Sequence, residues 1–231
     1  MTVLSAIQKA APYIGQEELP SYVYSSTDPD IVELGLLANR VARDIVESYD
    51  WQVLKTLATI TGDGTATAFD FEDDYERMLK KGNLWSSRLD RPYSPITDSD
   101  RWLEYQVRDF QPTIGMWTIY GNQIHFMPAP TSGETLKYWY ISNLIVSPET
   151  GDNKATFTLD SDVFLLNENL LTLGMKYQWR SDNGLQYAQE KDDYETLLDR
   201  LITADKGPRV LTMGRPRMPK DVTIAYPFAV E

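Results

Sequence analysis

Four carboxylates crowd one short stretch of this sequence: Asp70, Glu72, Asp73 and Asp74. Carboxylates grouped this way could hold a hard cation such as Ca²⁺, but the stretch lacks the ligand spacing and the glycine of a calcium loop. A solvated turn is the reading its spacing favours. Residues 149–153 (Glu149, Thr150, Gly151, Asp152, Asn153) pose the same choice, with turn chemistry again ahead of a cation. His125 is the sole histidine, so one chain cannot build a histidine-rich metal centre. Its neighbours Ile124 and Phe126 make it an ordinary strand residue before a catalytic one. Zero cysteines remove thiol catalysis, thiolate metal sites and disulfides. Gly62-Asp63-Gly64 has no Lys-Ser/Thr after it and opens no helix, so it is not a phosphate loop. No serine is flanked as a nucleophile elbow. A glycosidase needs only two carboxylates placed by the fold, and the acidic residues here are too many to single out a pair. Tyr138, Trp139 and Tyr140 alternate faces of a strand. One face could stack sugars or bases, although core and subunit-interface packing is the commoner fate of such rings. The expectation is therefore no catalytic residue, no metal, no cofactor, and a protein that is not an enzyme.

The totals agree with a packed protein. The chain has 231 residues, enough to bury a real core, and its 42% hydrophobic and 24% charged content is that of a water-soluble domain. No apolar run nears the ~20 residues that span a bilayer, and the first 15 residues lack the basic and apolar regions of a signal peptide. Net charge is −12, unevenly placed. Residues 208–231 hold four basic and two acidic groups, a balance of +2, which leaves −14 on the rest. An acidic body binds nucleic acid poorly, because affinity there comes from Lys and Arg displacing counterions. A basic tail on such a body suits an arm that reaches a partner.

The elements that must carry these residues divide into helical and β-rich parts. Residues 162–206 predict two helices joined by a tight corner at Asn183-Gly184 and stopped by Gly207-Pro208. Leu166, Leu170, Leu173 and Tyr177 recur at helical spacing in the first, with Phe164, Leu171 and Met175 on neighbouring faces; Tyr187, Tyr194, Leu198 and Leu201 recur in the second. Asp28-Pro29 announces a third helix, with Ile31, Leu34, Ala38, Val41 and Ile45 on one face and an end near Trp51. Residues 2–11 predict a short amphipathic helix. Together these define a discontinuous helical bundle, residues 1–51 plus 161–207.

Residues 52–160 predict an inserted β-rich domain, so the fold class is α+β. Its expected strands are 53–61, 65–71, 116–120, 123–127, 136–146 and 155–159, with Gly121-Asn122 as a two-residue hairpin turn. Residues 75–84 are ambiguous and read as a helical turn. Thr97 to Asp100 caps a short helix running to Phe110. Residues 208–231 form an extended C-terminal arm with four prolines, too apolar for a purely solvating tail. Arg209, Leu211, Arg215, Pro216, Arg217, Lys220 and Phe228 are its expected partner-binding residues.

The order of several local patterns carries a resemblance. Asp28 leads a helix to Tyr49-Asp50-Trp51; a hairpin ends in Phe126-Met127-Pro128-Ala129-Pro130; the aromatic strand from Tyr138 to Ser142 follows. Then come Leu170-Leu171-Thr172-Leu173-Gly174, Trp179, Gly184-Leu185 and Tyr187-Ala188. This succession resembles the head-to-tail adaptor proteins of tailed bacteriophages, the group that includes tail tubular protein A, over most of residues 1–207. The resemblance implies a virion structural protein of the neck, made in the host cytoplasm. It implies a dodecameric homo-oligomeric ring that joins the portal to the tail or nozzle and continues the DNA ejection channel. The implied partners are the portal protein, a tail or nozzle protein and further copies of the chain, with no membrane. It carries over no catalytic residue, and its C-terminal arm reaches the portal or a neighbouring subunit. A closed ring needs two different faces on each subunit. Twelve copies of this chain would bring about −140 charges around the channel, which repels DNA phosphates and lets DNA pass without specific binding. Two rival readings stand beside it. One is another virion part, a head-completion or tail-tip protein. The other is a carbohydrate-binding or cell-wall-degrading module using the aromatic strands and an acidic pair.

Overall fold

The computed structural model describes residues 2–14, 19–89, 91–108 and 112–207. Its helices are α1 (Val3–Ala10), α2 (Pro29–Ser48), α3 (Ser99–Val107), α4 (Glu168–Asp182) and α5 (Ala188–Asp205). Its strands are β1 (Lys55–Thr61), β2 (Ala68–Asp70), β3 (Tyr75–Met78), β4 (Leu84–Ser86), β5 (Arg91–Pro95), β6 (Met116–Tyr120), β7 (Gln123–Met127), β8 (Thr135–Ser142), β9 (Val146–Ser147) and β10 (Val163–Phe164). The class is α+β, as the sequence predicts. The arm and all seven of its predicted contact residues, Arg209 to Phe228, lie outside the described residues.

Helices α1, α2, α4 and α5 pack around one apolar core. Asp28 caps α2, its carboxylate accepting from the Asp30 N–H at 3.1 Å, and Pro29 takes the first turn, where a missing N–H costs nothing. Leu34, Ala38, Val41, Ala42 and Ile45 follow at three-and-four spacing and are buried. They meet Leu170, Leu171 and Met175 of α4 and Ile7 of α1. At Gly174 α4 packs tightly on α2: a Cβ there would stand 2.4 Å from Val41 Cγ1. The seam of α4 is thus rotated from the predicted one. Leu170, Leu171, Gly174 and Met175 are buried and Leu173 and Tyr177 are half-buried on its flank, whereas Leu166, like Phe164 of β10, precedes the helix, which starts at Glu168 rather than near residue 162. Helix α5 lies outermost, burying only Tyr194 fully, and Tyr187 at its start is exposed rather than in the stripe.

The strands form an eight-stranded sheet in the order β1-β8-β4-β5-β6-β7-β2, with β3 also on β8. All pairs are antiparallel except β5–β6. That parallel pair needs a crossover, and α3 supplies it. The connector between β1 and β2 joins the two ends of the sheet. Gly62 N–H donates to Glu134 O at 2.8 Å and Phe126 N–H to Thr67 O at 2.7 Å, so the sheet is nearly closed. Ala58, Ile60, Leu84, Tyr93, Trp117, Ile124, Phe126, Leu136, Tyr138 and Tyr140 fill its interior as a second core. The predicted hairpin is present: Gly121 (φ 60°) and Asn122 (φ 62°) make the turn that matches strand twist.

Four segments depart from the sequence expectation. Residues 75–84 are not a helical turn but hold β3 and the start of β4, because one long strand, β8, offers them consecutive stretches of the same edge. The Arg77 guanidinium then pairs with Asp50 and donates to Tyr49 O at 3.1 Å, which fixes β3 to the end of α2. Residues 155–159 are not a strand. Phe157 exchanges two hydrogen bonds with the Asn39 side chain (2.8 and 3.2 Å), and the Thr158 and Leu159 N–H groups donate to Asp162 Oδ2 at 2.8 and 2.9 Å. Side chains have taken the backbone groups that a ladder would use. The predicted strand 136–146 ends at Ser142; Val146 and Ser147 pair instead with β10. The predicted helix to Phe110 ends at Val107.

Candidate interaction surfaces

Strand β8 sorts its aromatics by alternation. Tyr138 and Tyr140 enter the sheet interior, and Trp139 between them faces out, 49% exposed. Leu57 of β1 stands directly opposite Trp139, and Lys137, two residues along the same face, stands opposite Trp85 of β4. Leu57 and Trp85 are 46% and 51% exposed. At the far end of this face Ile141 is covered by the helical core. The result is an open face carrying two half-exposed tryptophans and Leu57, with Lys137 and Lys55 beside them. Tryptophan is over-represented among residues that dominate interface energetics. The sequence places Trp139 on this alternation but assigns no element to Trp85, which lies just past the ambiguous residues 75–84. The alternation Leu84 in, Trp85 out, Ser86 in was the available signal.

A second open surface lies at the corner between α4 and α5. Leu185 and Tyr187 are exposed there beside a hollow of about 520 Å³ that also meets Lys191, Asp192 and Glu195. The corner itself is held by Arg180, whose guanidinium sits 2.6 Å from Glu190 and donates to Gln186 O at 3.2 Å.

A third hollow, of about 450 Å³, lies between α3, the β6–β7 hairpin and residues 64–67. His125 lines it, its ring stacked on Tyr120 at 3.6 Å and 4°. Strand alternation explains the placement, since Ile124 and Phe126 point into the core. Trp102 and Gln106, one turn apart on α3, line the opposite wall.

The buried carboxylates are structural. Glu134, 4% exposed, accepts from the Ser86 hydroxyl, Tyr93 Oη at 2.9 Å, Arg88 Nε at 3.1 Å, and Thr131 N–H and Oγ1 at 3.0 and 2.9 Å. Burial raises its pKa, but this set of donors outweighs burial and holds the carboxyl down at about 2. Asp162 is fully buried and accepts from Lys154 Nζ at 2.7 and 2.8 Å. Burial again opposes ionisation, and the Lys154 contact with the Thr158 and Leu159 amides wins, lowering its pKa. Both carboxylates spend their lone pairs holding loops. Of the acidic stretch, Asp70 accepts from Gln123 Nε2 at 2.8 Å and Asp74 from Tyr140 Oη at 2.6 Å. Among the described residues, no three His, Cys, Asp or Glu are grouped to hold a metal ion, and no helix is long and apolar enough to cross a membrane.

Among the described residues, the tryptophan face of the sheet and the corner between α4 and α5 are the open apolar surfaces. The SU10 adaptor protein family model matches residues 1–217 of the sequence. The chain therefore belongs to the SU10 adaptor protein family and is a bacteriophage adaptor. No curated protein matches it. Family membership implies a place in the virion neck and contact with portal and tail components.

Proposed function

We propose that the protein is a non-enzymatic virion adaptor of the tail tubular protein A kind, assembled as a dodecameric ring that joins the portal to the tail or nozzle and continues the DNA ejection channel. The observation that carries the reading is the adaptor-family match across residues 1–217. The division of labour follows the two apolar cores. Residues 1–51 plus 161–207 form a bundle, residues 52–160 form an inserted β-rich domain, and residues 208–231 reach the portal or a neighbouring subunit through Arg209, Leu211, Arg215, Pro216, Arg217, Lys220 and Phe228. Assembly takes place in the host cytoplasm.

We assign the tryptophan face to a neighbouring copy. Its lysines, Lys55 and Lys137, complement a chain of net −12, and apolar centres with few charges are what protein interfaces bury. The acidic ring then lets DNA pass without gripping it. Electron microscopy of the purified protein mixed with its portal tests the reading: rings of the protein seated on the portal are expected. A monomer that ignores the portal and instead binds or cleaves glycan would overturn it.

A further inference from the structure

We propose that the tryptophan face and the α4–α5 corner are two halves of one contact between copies of this chain, with Trp139 of one copy seated in the corner hollow of the next. This pairing rests on the ring reading and names the surfaces that would close the ring. Trp139 is the middle of a short outward-facing row. Leu57 stands directly opposite it, Lys137 lies two residues before it on β8, and Lys55 lies two residues before Leu57 on β1. The antiparallel register therefore puts one lysine on either side of the apolar pair. Neither lysine has an ion-pair partner among the described residues. The corner offers the complement. Leu185 and Tyr187 are exposed there beside a hollow of about 520 Å³, and Asp192 and Glu195 stand on its wall. Glu195 has Lys191 at 3.6 Å, whereas Asp192 has no cation partner among the described residues.

Each half thus has an apolar centre and an unpaired charge of the sign that the other lacks, which is the complementarity that fixes register between partners. A tryptophan filling a partner's pocket is also the arrangement whose truncation costs most. The hollow is in the size range that takes a small-molecule ligand, so an indole fits it. Within one copy the halves do not meet. Both are exposed, and α5 carries the corner away from the sheet: Asp205 at its far end accepts from the Gln52 N–H at 3.0 Å, beside β1, and the helix runs 18 residues, about 27 Å, between the two ends. Nor does the tryptophan face suit a second tryptophan face, because that contact would set lysine against lysine. The occupant that satisfies both halves is a second copy, docked head to tail. One surface meeting a different surface is the heterologous contact that a closed ring requires.

The chain has no cysteine, so an introduced pair reads the contact directly. The full chain carrying both Lys137→Cys and Asp192→Cys is mixed with its portal, treated with a short bis-maleimide and run on a denaturing gel. Both positions are exposed, and the substitutions leave Trp139 and the apolar wall of the hollow in place. The expected result is a ladder of covalent dimers, trimers and larger species. Either single variant alone should give none, and a mixture of the two should stop at dimers, since each chain then has one reactive group. Adding Trp139→Ser to the double variant should cut the ladder at least about tenfold. Electron microscopy of the same mixture separates the two readings. Rings on the portal without a ladder overturn this pairing and leave the ring standing; a ladder without rings upholds the pairing and removes the ring. Neither rings nor ladder sinks both. Dimers from K137C alone would mean that tryptophan faces meet each other, which overturns the pairing as well.

Discussion

Leu57 on β1 and Trp139 on β8 stand directly opposite each other on the outer face of the sheet, and about half of each side chain is open to solvent. Cross-strand apolar pairs of this kind stabilise a sheet only modestly when left wet. Their larger contribution comes when a partner excludes water from them, which is what a subunit interface does.

Replacing Trp85 and Trp139 together with serine should leave the fold intact and weaken self-association. Both side chains are half-exposed, so folding loses little, whereas truncating an interface tryptophan commonly costs about 2 kcal/mol or more. Association should fall by at least about tenfold for each residue if they act independently. Mass measurement across a dilution series, with circular dichroism as the control for folding, checks this. Unchanged assembly would show that the face lies outside the interface.

Acid should weaken the fold through Glu134. Its pKa is lowered from 4.5 to about 2 in the folded state, so its contribution is fully present above about pH 4.5 and is lost as pH falls through the folded value. The full shift corresponds to roughly 3 kcal/mol. Urea unfolding at pH 7, 4 and 2.5 measures it, and E134Q should flatten that part of the profile while costing about 3 kcal/mol at neutral pH. Asp162, lowered for a similar reason, adds to the same slope.

Two neighbouring substitutions on α4 locate its seam. Leu171→Asp places a charge in the core between α2 and α4 and should abolish folding, because an unpaired buried charge is untenable there. Leu173→Asp, on the half-buried flank, should cost distinctly less, about 1–3 kcal/mol. Equal melting curves for the two would mean that α4 is rotated from the orientation described.

Deleting residues 208–231 should leave the melting curve unchanged and abolish docking to the portal. Among the described residues the two cores are built from residues 3–202, all of which the truncation leaves in place. Cosedimentation of truncated and full-length protein with portal decides it; normal docking by the truncated chain sinks the role given to the arm.

The sequence alone determined the features whose causes are local. Asp28-Pro29 starts a helix because cap and ring chemistry act within one turn, and Gly121-Asn122 turns a hairpin because both residues accept positive φ. Alternation along β8 was enough to separate Trp139 from Tyr138 and Tyr140. The tertiary structure decided what depends on distant partners. Residues 155–159 have the composition of a strand, yet Asn39 and Asp162 claim their backbone groups. Leu173 has helical spacing as good as Leu171, but only the close approach of Val41 at Gly174 determines which of them is covered. Trp102 and His125 are 23 positions apart on a helix and a strand, and no periodicity links them. They line one hollow because the β5–β6 crossover lays α3 against the hairpin, a juxtaposition set by strand order.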